Sequence, residues 1–237
     1  MGSRNTSFHE GALARVLLAP FKLGFALTLG LAGLLLVAWT LDWLFVVQVW
    51  PGRVEGLRNL LGDEIAAGTA LAERQGASIA AITAPANGLY ALVFEATGLH
   101  VMGQRFAQSG SLSIPDTVVR STWIARHEAI EVAMLGTQLL GLRAGILARF
   151  LPLLALLYAV GAAEGLSRRS IRRARAARES ASMYHRAKYG QVVVLALGVA
   201  VTLVWPAPVA WGMFAVVGSV VVGVLAAGQW AYYKKHA

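Results

Sequence analysis

Few residues in this sequence are equipped for chemistry, and their spacing argues against most of it. His127-Glu128-Ala129-Ile130-Glu131 begins like the zinc helix of a metalloprotease, but Glu131 stands where the second histidine ligand is required. The segment reads as a solvated helix face. His9, His100, His185 and His236 are scattered along the chain. No serine sits in a nucleophile elbow, and no glycine-rich phosphate loop occurs. With no cysteine there is no disulfide, thiolate metal site or thiol nucleophile. The expectation is a protein that is not an enzyme and holds no cofactor and no metal.

Charges within apolar runs are the next candidates. Asp42 lies at the outer end of the first run, and Arg143 and Arg149 lie in the outer part of the second. A charge deep in a membrane helix costs roughly 3 kcal/mol unless it is paired or wet. Counting inward from the outer ends puts Asp42 and Arg149 at similar depth, so an intramembrane pair is expected. The alternative use is an ion or proton path through a small transporter or channel component. Ala215, Ser219, Gly223 and Ala227, four apart, form one small-residue stripe of the kind that lets helix backbones approach in lipid. It serves packing within the monomer or contact with another subunit or partner.

The elements that must position these residues are four apolar runs: 23–41, 144–163, 191–209 and 210–233. A bilayer core of about 30 Å takes roughly 20 residues of helix. The chain has 237 residues, 57% of them hydrophobic and only 14% charged, where a soluble domain has about 25% charged. The net charge of +9 is concentrated. Arg4, Arg15 and Lys22 precede the first run; Arg168, Arg169, Arg172, Arg173, Arg175, Arg178, Arg186 and Lys188 separate the second from the third; Lys234 and Lys235 follow the fourth. With four crossings these groups share one side, the cytoplasmic one.

The expected fold is an all-α membrane protein of four transmembrane helices, with a helical periplasmic region between the first and second. The boundaries follow: cytoplasmic N-terminus 1–22, transmembrane helix 23–49, periplasmic region 50–142, transmembrane helix 143–163, basic cytoplasmic loop 164–190, transmembrane helices 191–209 and 210–233, cytoplasmic C-terminus 234–237. The periplasmic region carries six arginines against eight carboxylates. Val54, Leu57, Leu61 and Ile65 recur at helical spacing there, and Val119, Trp123, Ile130 and Met134 do so less strictly in a helix that runs on into the second span. Gln75 to Phe94 is uncharged, but Gly76, Pro85, Asn87 and Gly88 make it a helix pair outside the membrane rather than a fifth span. Trp205-Pro206-Ala207-Pro208 reads as a tight outer hairpin, because two prolines cannot continue a helical ladder.

The basic loop has three physical uses that composition does not separate: holding topology, binding anionic lipid heads, and binding DNA. It also carries a resemblance. Gly165, Arg169, Arg172, Arg173, Arg178, Glu179, Ser180, Tyr184, His185, Ala187 and Lys188, with the stretch Leu142 to Pro152 and Trp50-Pro51, resemble a family of integrating conjugative element membrane proteins of unknown molecular function. Glu164, Ala176 and Ala177 depart from its pattern. The resemblance implies a role in conjugation beside a type IV secretion apparatus and its DNA-pumping coupling ATPase, and implies no catalytic residue. Glu179-Ser180 and Tyr184-His185 exceed what topology needs and suggest a protein contact. The expected function is thus an inner-membrane accessory or scaffold component of a conjugative DNA-transfer machine. Its partners would be membrane lipids, other conjugation-machinery membrane proteins and the coupling ATPase, with homo-oligomers and direct DNA contact through the loop as further alternatives.

Overall fold

A computed structural model describes residues 6–102, 114–175 and 181–233. Among the described residues the main helices are α1 Thr6–Gln48, α2 Val54–Arg74, α3 Ala80–Tyr90, α4 Ile114–Ala174, α5 Ala181–Val204 and α6 Trp211–Ala231. A π-helical turn, Ala91–Glu95, continues α3. No strand occurs among the described residues. The chain divides into two units, Met1–Val37 and Ala38–Ala237. The described part of the first is helix, and it leaves Phe21, Leu23, Phe25, Leu27 and Leu29 exposed. The second unit holds the end of α1 and all the other helices.

Among the described residues four helices are long and apolar enough to cross a membrane: Ala19–Gln48, Arg126–Ala174, Tyr184–Val204 and Trp211–Ala231. Each of the four apolar runs expected to cross lies for the most part in one of these helices. They leave large apolar side chains exposed, as a lipid-facing bundle must, and are compatible with a multi-pass membrane protein. The segment after Gln75 folds into a helix of only 11 residues plus the π turn, too short to cross.

The spine of the second unit is α4. Its 61 residues span roughly 90 Å, three times a bilayer core. The helix expected to enter the membrane at 143 is therefore continuous with the segment before it, with no break at that boundary. Other elements dock along it at glycines. At Gly136 an added Cβ would strike the Asp42 carboxylate of α1. Gly141 and Gly145 meet the backbone of α3 at Ala86 and Ile82, and Gly161 and Gly165 meet that of α6 at Gly223 and Ala227. Both pairs are G-x-x-x-G, which places two small residues on one helix face. The paired numbers show that α6 runs parallel to α4 and α3 antiparallel to it. Ala187 faces Gly228, so α5 packs against α6.

Two cores result. Val46, Leu57, Leu60, Val132 and Leu139 join the end of α1 to α2 and α4. Ala72, Ile82, Ala86, Leu142, Ile146, Phe150, Trp211 and Ala215 join α2, α3, α4 and α6. The buried row of α2 is Leu57, Leu60, Glu64, Gly68 and Ala72, not the expected row ending at Ile65, which is exposed. The reason is that this row contains a carboxylate whose partner lies across the interface.

Candidate functional site

Pro206 has no amide hydrogen, so the Thr202 carbonyl one turn before it loses its helical donor. Arg143 supplies the replacement. Its side chain is fully buried on α4. Nη1 donates to the carbonyls of Thr202, at 3.2 Å, and of Trp205. Nη2 donates to the Ala207 carbonyl at 2.7 Å. Nε and Nη2 also donate to Glu64 Oε1, at 3.1 and 2.7 Å. All five donors of the guanidinium are engaged. Glu64 is 2% exposed and accepts two further bonds, from the Trp211 indole at 2.6 Å and the Val209 amide at 3.3 Å. One ion pair thus ties α2 and α4 to the turn 205–210 and to the start of α6.

Asp42 and Arg149 are not brought together. Asp42 is buried opposite Gly136, thirteen residues before Arg149 and so about 20 Å away along the α4 axis. No ion pair joins them among the described residues. The arginine facing a buried carboxylate is Arg143, and that carboxylate is Glu64. Beside Asp42, Trp39 Nε1 donates to Thr137 Oγ1 at 3.0 Å. The carboxylates of the 127–131 segment bind α2 and the residue before it: Arg53 donates to Glu128 at 2.7 Å and Arg58 donates to Glu131. The hydrogen bond to Glu131, with that carboxylate's charge, raises the Arg58 pKa above the usual guanidinium value.

At the opposite end of α4 the basic segment divides. Arg172 lies over the Tyr232 ring, 4.0 Å from its centroid, and donates to the Ala231 carbonyl at the end of α6. A cation at that helix terminus also meets the favourable end of the helix dipole. Arg169 lies over Tyr233 at 5.4 Å, and Tyr184 meets the same ring edge-on at 5.7 Å. Trp230 donates to the Tyr158 hydroxyl at 3.0 Å. Arg169, Arg172 and Tyr184 are therefore part of the fold's own aromatic cluster. Arg173, His185 and Lys188 are exposed. Arg178, Glu179 and Ser180 lie outside the described residues. Ala215, Ser219, Gly223 and Ala227 face α4, so the stripe serves packing within the chain.

A family model described as IncC plasmid conjugative DNA transfer protein DtrJ-like matches residues 65–231. The chain belongs to the DtrJ-like family. The match runs from within α2 to the end of α6, and so covers Arg143, the turn and the basic end. It bears out the expected membership of a conjugation-cluster family of unknown molecular function. No curated protein and no solved structure matches the chain.

Two features of this DtrJ-like chain escaped the sequence reading. Glu64 falls four residues after Leu60 and seven after Leu57, on the apolar stripe of α2, where a carboxylate signals a buried partner. The paired glycines of α4 are a short motif whose meaning in an apolar helix is close backbone approach.

Proposed function

We propose that this protein is a non-enzymatic scaffold or accessory component of a conjugative DNA-transfer apparatus, seated in the bacterial inner membrane with its termini and basic end in the cytoplasm. The reading rests on one observation in a chain of a conjugative-transfer family: its buried ion pair is fully engaged by its own backbone and indole. Every donor of Arg143 is taken, and Glu64 accepts from two further groups, so this site offers a substrate nothing to bind. Such a rigid frame suits a protein that holds others in place. Against the transport alternative, Asp42 and Arg149 stand about 20 Å apart along α4.

Partners would dock at the basic end, where Arg173, Arg175 and His185 are exposed. Deleting the protein should abolish transfer in a mating assay. Glu179→Ala with His185→Ala should lower transfer at least tenfold at unchanged membrane abundance, with loss of the machinery proteins that co-purify in mild detergent. Transfer that survives deletion would refute the reading.

A further inference from the structure

Not all the cations at the basic end stand at one height. Gly165 of α4 meets the backbone of Ala227 and Ala231, and Ala187 of α5 meets Gly228. These contacts fix a common level across three helices. Arg186 and Lys188 lie one residue either side of Ala187, and Arg168 lies three residues beyond Gly165, so all three stand within about 5 Å of that level. Arg173 and Arg175 lie roughly 12 and 15 Å beyond it. The level is also where Trp230, Tyr232, Tyr233 and the exposed Tyr189 cluster, as interfacial aromatics do.

The three cations of this tier are exposed and stand on two helices. Arg186 and Lys188 are two residues apart, hence about 200° apart around α5. Arg168 is on another helix and makes an exposed ion pair with Glu164 at 2.7 Å, which solvent screens and a headgroup phosphate can share. A rod such as a DNA duplex can meet one face of the bundle. A lipid leaflet surrounds it and meets every face at one height.

We infer that Arg168, Arg186 and Lys188 form a collar that binds anionic phospholipid headgroups, distinct from the outer pair Arg173 and Arg175. The inference rests on the membrane placement proposed above and not on the conjugative role. Each cation near an anionic surface strengthens association about fivefold, so three together give on the order of a hundredfold.

The test uses the full chain, first shown to resist carbonate extraction from membranes. In detergent its thermal midpoint is followed with phosphatidylglycerol or with phosphatidylcholine of the same chains. Phosphatidylglycerol should raise the midpoint of the wild type more than phosphatidylcholine does. The triple variant Arg168→Gln, Arg186→Gln, Lys188→Gln should lose that difference, and Arg173→Gln with Arg175→Gln should keep it. The charge-preserving triple Arg168→Lys, Arg186→Lys, Lys188→Arg should also keep it, which separates charge from folding. Equal shifts with the two lipids would overturn the collar. So would loss of the difference in the outer pair or the charge-preserving triple, protection by duplex DNA through the same three cations, or failure to resist extraction.

Discussion

Arg143 answers the Thr202 carbonyl that Pro206 leaves short of a donor together with the turn carbonyls of Trp205 and Ala207, and only a guanidinium presents five N–H groups in one plane to do so. Lysine has three donors on one atom and reaches fewer of these acceptors. Removing one member of a buried pair leaves the other charged and unpaired, which costs about 3–5 kcal/mol. Arg143→Ala and Glu64→Ala should each destabilise the protein by that much in denaturant unfolding from detergent. The double variant should lose about 2 kcal/mol less than the sum, because the partners share one network. Additive losses would show that the pair does not act as a unit. Arg143→Lys should recover little.

At the element scale, two G-x-x-x-G segments make α4 the backbone against which α3 and α6 are seated. For two helices in lipid, as α4 and α6 are proposed to be, no hydrophobic gain separates protein from solvent, so close packing of small residues has to hold them together. The geometry is testable because the chain has no cysteine. A Cβ built on Gly223 lies 3.8 Å from that of Leu157, a separation typical of disulfides. Leu157→Cys with Gly223→Cys should oxidise to an intramolecular bridge that leaves the protein monomeric on a non-reducing gel. A dimer band instead would assign the stripe to a second copy. The stripe on α6 was legible from spacing alone, but its partner was not, since small residues fit equally well against any nearby helix.

Considered whole, the molecule places the Trp205–Ala210 turn and the basic segment at opposite ends of α5 and α6. That separation makes orientation measurable. With Arg175→Cys, an impermeant thiol reagent should label inverted membrane vesicles and not intact spheroplasts; with Ala210→Cys the pattern should reverse. Labelling of both positions from one side would mean that α5 and α6 do not cross the bilayer, and the scaffold's proposed cytoplasmic docking end would be lost with them.

The sequence by itself determined the four helices long and apolar enough to cross a membrane, the proline turn and the family. Apolar run length, missing amides and an arginine-rich string are local properties that any fold of the chain must carry. Tertiary structure alone decided which charges meet. Glu64 and Arg143 are 79 residues apart in the chain, and their pairing depends on how far α2 slides along α4 and which face each presents. Arg143 and Arg149 differ by six residues, about 240° around the helix, so Arg143 is fully buried where Arg149 is only half-buried. Composition is blind to that rotation, and depth counting assumed that the spans end at the membrane surface, whereas α4 is far longer than a bilayer is thick.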